Sequence, residues 1–104
     1  MNKIPISKRP DHINLRKRFG DTEIDIVLGK NRKRGILIIQ DRKSRKAWLT
    51  KIEGKNASYI NSKIKSILKR TEKPVRSITT DNDLAFAKHH QLNIDVYFTN
   101  PYSS

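Results

Sequence analysis

The spacing of hydrophobic residues changes near residue 55, and this change constrains the fold more than any other feature of the chain. Before it, three runs rich in β-forming residues, at 22–29, 36–41 and 46–52, are separated by short polar turns, which predicts an antiparallel meander. The second run contains the uninterrupted apolar stretch Ile36–Ile39, and it therefore predicts a strand that is buried on both faces.

A helix is predicted directly after this change. Apolar residues recur there mainly at spacings of three and four, which places them on one face of a helix: Ala57, Ile60, Ile64, Ile67 and Leu68. Asn56 or Ser58 can cap the start of this helix, and Pro74 prevents the helix from continuing.

Two further strands with a short helix between them complete the predicted order of elements. The strands lie at 75–80 and 94–98, and Asp81 or Asn82 can cap a helix that extends to about His90. The order is then β-β-β-α-β-α-β, which predicts a mixed sheet in an α/β fold.

The 104 residues are enough for one domain with one hydrophobic core. Residues 1–19 are polar and basic, and Pro5 and Pro10 interrupt regular structure there. We therefore expect an extended basic arm at 1–19 followed by a single domain at 20–104.

The charge of the chain favours a polyanionic partner. Lys and Arg number 23 against 10 Asp and Glu, which gives a formal net charge of +13. Nucleic acid is the commonest polyanion that such a charge serves, and a merely solvated basic surface is the alternative. The predicted DNA-contacting residues cluster between residues 30 and 46: Lys30, Arg32, Lys33, Arg34, Arg42, Lys43, Arg45 and Lys46.

Several classes of function are excluded by composition. The chain contains no cysteine, so it has neither a disulfide framework nor a thiolate metal site. Its longest uninterrupted apolar run, Ile36–Ile39, is far too short to span a bilayer, and the N-terminus lacks an apolar signal core. We expect a cytoplasmic location and no membrane partner.

Two aspartates occupy positions that suggest chemistry. Asp25 lies among the apolar residues of the first predicted strand, and Asp81 follows the strand that ends at Thr80. If these strands are neighbours, the two carboxylates approach each other, and a divalent metal such as Mg²⁺ relieves their repulsion. The alternatives are a helix cap at Asp81 and a solvent-facing strand position at Asp25, with Glu23 on the same face.

The remaining chemically versatile residues are predicted to be structural. We expect His89 and His90 to be solvated at a helix end, and Trp48 and Phe86 to be core residues. Ser, His and Asp are all present, but no local arrangement suggests an activated nucleophile.

Five sequence blocks, spread over nearly the whole chain, form a recognisable set: "RP" at 9–10, "RFGDTEIDIVLGK" at 18–30, "DRKSR" at 41–45, "SITTDND" at 77–83 and "YFTNPYSS" at 97–104. Together and in this order, they resemble the catalytic core of bacterial insertion-sequence transposases with a D-D-E active site. The resemblance is to the branch whose first block has the pattern G-D-W-E-x-D, within the wider integrase-core group.

The resemblance implies a ribonuclease-H-like fold, which agrees with the predicted order of elements. It also implies that Asp25 and Asp81 are catalytic metal ligands for Mg²⁺ or Mn²⁺. The activity that it implies is metal-dependent cleavage of DNA at transposon ends, followed by strand transfer.

Some positions depart from the family pattern. Thr22 replaces the family's tryptophan, and Asp83 and Ala85 replace the glycine and glutamate of its D-N-G-x-E-F block. The family's third ligand is a glutamate on a helix after the "PYSS" block, and this sequence gives no residue beyond Ser104.

We therefore expect a C-terminally truncated transposase core that lacks the C-terminal helices. By itself, such a fragment is expected to be impaired in catalysis because the third acidic ligand is absent, so its status as an enzyme stays open. The alternatives are a non-catalytic nucleic-acid-binding module and an interaction partner of an intact transposase. Homo-oligomerisation through the uncovered sheet face is a further expectation.

Overall fold

Six strands form one mixed sheet in the computed structural model, which describes residues 4–15, 18–81 and 83–99. From edge to edge the strands are β1 (Ile4–Pro5), β6 (Asp95–Phe98), β5 (Ser77–Thr80), β2 (Asp21–Leu28), β3 (Arg34–Asp41) and β4 (Ala47–Glu53). β2, β3 and β4 are antiparallel neighbours, whereas β1, β6, β5 and β2 pair in parallel. This confirms the predicted mixed α/β sheet with its antiparallel meander.

The apolar run of β3 alternates between the two faces of the sheet. Leu37 and Ile39 are fully buried, whereas Ile36 is 40% exposed and Ile38 is only partly buried. The prediction of burial on both faces is therefore wrong, because the described residues cover only one face of β3 with a helix. The other face is left open beside β2 and β4.

One long helix covers the buried face of the sheet. α2 (Ala57–Leu68; the shorter α1 is Asp11–Asn14) buries Ile60, Ile64 and Ile67 in the core, as their spacing predicts. The Asn56 side chain accepts hydrogen bonds from the N–H groups of the first turn and so caps the helix. Among the described residues, no helix is long and apolar enough to cross a membrane.

The predicted second helix is replaced by two 3-10 helices, Leu84–Phe86 and His89–Leu92. Phe86, His89 and Leu92 are buried at spacings of three, which suits the three residues per turn of a 3-10 helix better than an α-helical repeat. The predicted cap at Asn82 lies outside the described residues. Asp83 caps instead, since its side chain accepts a hydrogen bond from Ala85 N–H at 2.9 Å.

The residues before the main sheet are folded onto it. Ile4–Pro5 pair in parallel with Tyr97 and Phe98, and Ile13 of α1 is 1% exposed. An extended arm is therefore wrong for residues 4–15, because apolar side chains anchor this segment. The domain boundary at residue 19 stays a prediction.

Gly20 fixes where β2 enters the sheet. Its φ is +98°, and a Cβ there would lie 2.5 Å from the carbonyl oxygen of Pro74. Its N–H donates to Asp41 Oδ1 at 2.7 Å, and its carbonyl accepts from Arg76 N–H at 2.8 Å. These contacts tie the start of β2 to the end of β3 and to the segment that leads into β5.

Candidate functional site

The strand order brings Asp25 and Asp81 to the same part of the sheet. Glu23 is the last residue of β2 that pairs with β5, opposite Thr79, and the same offset continued for two residues leads to Asp25 on β2 and to Asp81, the residue after β5. Side chains two residues apart share a face, and neighbouring strands lie about 4.8 Å apart. The strand order makes β2 a neighbour of β5, which is the condition that the approach of the two carboxylates required.

Both aspartates line one open cleft of about 400 Å³. Asp25 is exposed and its Oδ1 accepts a hydrogen bond from Ile26 N–H at 2.9 Å. Asp81 is also exposed, and its Oδ1 accepts from Asp83 N–H at 3.2 Å. Asp25 therefore faces solvent, which is the alternative position that the alternation of side chains along the strand allowed. Its carboxylate avoids the free-energy cost of being buried without a partner.

The buried carboxylate of β2 is Asp21, which the sequence analysis did not single out. It is 0% exposed and accepts from Arg18 Nε at 2.8 Å and Nη2 at 3.0 Å. Ser77 Oγ donates to the same carboxylate at 2.7 Å, which joins β2 to β5. The hydrogen bond to Asp21 raises the pKa of Arg18 above its ordinary value, so the guanidinium stays charged. No local pattern reveals this role, because Ser77 is distant in sequence.

Arg42 also lines the cleft, and its positive charge is already paired. The Arg42 side chain is 6% exposed and its Nη1 donates to Glu23 Oε1, while the Glu23 side chain is 46% exposed. Arg42 Nε and Thr80 Oγ1 are buried and have no hydrogen-bond partner within the described part of the chain. Arg42 is therefore buried, unlike the other seven residues that were predicted to contact DNA.

The other seven predicted DNA-contacting residues are exposed and fall into two groups. Since the two groups flank the eight residues of β3, they lie roughly 25 Å apart. The hairpin group between β2 and β3 is Lys30, Arg32, Lys33 and Arg34, and the turn group between β3 and β4 is Lys43, Arg45 and Lys46.

The cleft suits a divalent metal that is held only partly by protein. Carboxylate oxygens are hard ligands, and Mg²⁺ commonly takes one or two carboxylates together with water and phosphate oxygens. Across residues 4–15, 18–81 and 83–99, no group of three or more His, Cys, Asp or Glu side chains is placed to hold a metal. Asp25 and Asp81 therefore fit a two-carboxylate site and not a closed protein cage.

The aromatic and imidazole residues are placed mainly in the core. Phe86 is 5% exposed, as predicted, and Trp48 packs against the core while staying partly exposed. The prediction of a solvated His89 is wrong: it is 8% exposed, its Nδ1 lies 3.0 Å from Phe86 O, and its ring meets Phe98 edge to face. His90 is exposed.

Comparison with solved structures defines the class of fold. The catalytic core domain of BIV integrase matches with a TM-score of 0.65, over 81% of this chain and 57% of that chain, at 19% sequence identity. The chain therefore has the ribonuclease-H-like fold of an integrase catalytic core. No family model matches the chain.

Comparison of sequences gives the particular relatives. The chain is 39% identical over 106 residues to the transposase for insertion sequence element IS4351 of Bacteroides fragilis, covering 98% of this chain and 32% of the relative. It is 29% identical over 108 residues to transposase InsI for insertion sequence element IS30A of Escherichia coli, covering 99% and 28% respectively. The chain is homologous to one segment of insertion-sequence transposases, and it spans about a third of their length or less.

Proposed function

We propose that Asp25 and Asp81 are the acidic metal ligands of a site for phosphodiester cleavage and strand transfer in DNA. The observation that carries this proposal is that both aspartates line one cleft where β2 and β5 run side by side. The homology to insertion-sequence transposases supports DNA as the substrate class.

The roles of the cleft residues follow from their chemistry. Asp25 and Asp81 would share Mg²⁺ or Mn²⁺, which when bound supplies activation of the attacking oxygen and stabilisation of the leaving oxygen. Arg9 adds positive charge beside the two aspartates, which favours a phosphodiester at the same place.

We further propose that this chain binds metal weakly and cleaves DNA poorly or not at all by itself. Two carboxylates provide less negative charge to hold divalent metal than a three-carboxylate site provides. Glu23 lies on the same face as Asp25, but it is paired with Arg42 and is therefore a poor third ligand.

DNA binding without cleavage is the second candidate function. The formal net charge of +13 and the two exposed basic groups favour it. Such binding depends mainly on phosphate contacts, so it falls steeply with salt and shows little sequence preference.

The cleft face of the sheet also favours self-association with a second copy of the chain. Val27, Ile36 and Leu49 are 52%, 40% and 53% exposed on this face, beside Asp25. Contiguous exposed apolar side chains favour association, whereas the net positive charge opposes it at low salt. Light scattering should show dimers at high salt and concentration, and a monomer throughout would contradict this.

Metal titration followed by NMR tests the proposed site directly. Mg²⁺ should shift, and Mn²⁺ should broaden, the amide signals of Asp25 and Asp81 in a saturable way. Asp25→Asn should abolish both effects, whereas Glu53→Gln, an exposed acid 75% accessible on β4, should leave them unchanged. Absence of any perturbation at either aspartate would refute the metal site and leave DNA binding as the function to pursue.

A further inference from the structure

A second concavity lies near the start of β2, on the side of the sheet away from the acidic cleft. It has a volume of about 190 Å³, and Phe19, Thr22, Trp48 and Val75 supply much of its lining. Thr22 stands in register with the core residue Ile78, so this pocket opens beside the helix-covered face. Clefts for drug-sized ligands are typically about 300–1,000 Å³, so this pocket suits one small planar ring system.

Three lysine ammonium groups lie over the two aromatic rings of the pocket. Lys73 Nζ and Lys43 Nζ are 3.9 Å and 4.8 Å from the centroid of the Phe19 ring. Lys46 Nζ is 5.4 Å from the centroid of the Trp48 ring. Two ammonium groups that share one ring repel each other, and a bound anion relieves that repulsion.

The acidic residues of the pocket do not remove this positive character. Asp41 accepts hydrogen bonds from Gly20 N–H at 2.7 Å, Ser44 N–H at 2.7 Å and Ser44 Oγ at 2.9 Å, so its carboxylate is used to hold the turn. Glu72 is the second acid that lines the pocket. Asp41 keeps its negative charge, so the three ammonium groups near the two rings stand against two carboxylates, Asp41 and Glu72, and leave a formal excess of one positive charge.

A ligand that matches this site combines a flat aromatic ring with adjacent negative charge. Aromatic side chains stack on nucleobases of any sequence, and lysines contact the flanking phosphates. We propose that the pocket between Phe19 and Trp48 takes one unpaired nucleobase of a DNA strand, with its neighbouring phosphates held by Lys43, Lys46 and Lys73. This inference rests on the proposed DNA binding and adds a base-binding site to it.

The turn between β3 and β4 connects the pocket to the acidic cleft. Arg42 lines the cleft, whereas Asp41, Ser44 and Lys46 of the same turn line the pocket. Along β2, Thr22 of the pocket and Asp25 of the cleft are three residues apart, or roughly 10 Å. A DNA strand with one base in the pocket therefore passes over this turn toward Asp25.

Trp48 provides a direct probe of the pocket, because it is the only tryptophan of the chain. We would titrate the 104-residue protein with a labelled single-stranded oligonucleotide, with an oligonucleotide of equal length made of abasic sites, and with a duplex. Anisotropy of the label reports binding, and Trp48 fluorescence reports stacking in the pocket. The base-containing single strand should bind about 5- to 100-fold more tightly than the abasic strand, and it alone should quench Trp48 strongly.

Variants of Phe19 separate stacking from charge. Phe19 is 39% exposed, so Phe19→Ala should remove the preference for the base-containing strand while leaving the abasic affinity unchanged. Phe19→Tyr keeps an aromatic ring and should keep the preference. Leu84→Ala removes an apolar side chain that is 83% exposed and does not line the pocket, so it serves as the matched control.

The possible outcomes distinguish this inference from the proposed function. Equal affinity for base-containing and abasic strands, without quenching of Trp48, overturns the base pocket but leaves DNA binding intact. Equal quenching by duplex and single strand overturns the requirement for an unpaired base. Failure of all three nucleic acids to bind overturns the proposed DNA binding together with the pocket.

Discussion

Arg42 and Glu23 form an ion pair in which one side chain is buried and the other is half exposed. The Nη1 of Arg42, at the end of β3, donates to Oε1 of Glu23, two residues before Asp25 on β2. The side chains are 6% and 46% exposed respectively. The two partners are not equivalent, because water reaches Glu23 but hardly reaches Arg42. Loss of Glu23 leaves the buried Arg42 cation without a counter-charge, whereas loss of Arg42 leaves a carboxylate that water can solvate.

We predict an asymmetric loss of stability when this pair is broken from either side. Glu23→Gln should lower the free energy of unfolding by about 2–4 kcal/mol, because the buried guanidinium keeps its charge without a carboxylate. Arg42→Met should cost about 1 kcal/mol or less, because the aliphatic replacement fills the same buried space. Urea unfolding of both single variants and the double variant measures the two costs and their coupling. Equal costs for the two single variants would contradict this account.

The same substitution should have very different effects on stability at the two aspartates of β2. Asp21→Asn should lower the free energy of unfolding by about 2–4 kcal/mol, because half-buried Arg18 and buried Ser77 lose their charged acceptor. Asp25→Asn should change it by about 0.5 kcal/mol at most, because Asp25 is exposed. Chemical denaturation checks both values. A large stability loss in Asp25→Asn would show that Asp25 is structural and weaken its proposed role as a metal ligand.

The features that sequence could predict are those set by local periodicity. The helical repeat of Ile60, Ile64 and Ile67 predicts the buried face of α2, and turn residues predict the β2–β3–β4 meander. The meeting of Asp25 and Asp81 at one cleft depends on the strand order as well, which local periodicity leaves open.

The features that sequence could not predict depend on partners far away along the chain. Asp21 is buried because Ser77 and Arg18 meet it there, and Arg42 is buried because Glu23 of another strand accepts its hydrogen bond. A run such as "DRKSR" does not show which of its basic side chains turns inward.

Acid should weaken the protein partly through Asp41. Burial by itself raises the pKa of Asp41, but hydrogen bonds from Ser44 N–H and Gly20 N–H outweigh burial, so the pKa lies below its ordinary value. A carboxylate whose pKa is lowered on folding stabilises the folded state fully above about pH 5, and this contribution is lost as pH falls through the lowered pKa. The wild type should therefore lose stability on acidification.

Asp41→Asn tests that contribution. At pH 7 it should lower the free energy of unfolding by about 1–3 kcal/mol, because the amide cannot accept all of the turn's hydrogen bonds with one oxygen. The difference between variant and wild type should shrink as pH falls from about 5 to 3. Urea unfolding across this pH range gives the difference directly, and a difference that does not change with pH would exclude the carboxylate charge as its cause. The pKa of Asp83 is lowered as well, so Asp83 should also lose its stabilising contribution as pH falls, and it provides an independent test.

The hairpin between β2 and β3 should contribute phosphate contacts to DNA binding. Lys30 and Lys33 are both exposed there, and each phosphate contact to duplex DNA adds about 0.9 to the magnitude of the slope of log K against log salt. Lys30→Gln combined with Lys33→Gln should therefore reduce that slope by about 2 and weaken binding similarly for unrelated DNA sequences. Anisotropy titrations at several salt concentrations measure the slope.

Lys88→Gln changes an exposed lysine outside both basic groups, so it should leave the slope of log K against log salt unchanged. An unchanged slope in the hairpin variant, with binding retained, would exclude Lys30 and Lys33 from the phosphate contacts.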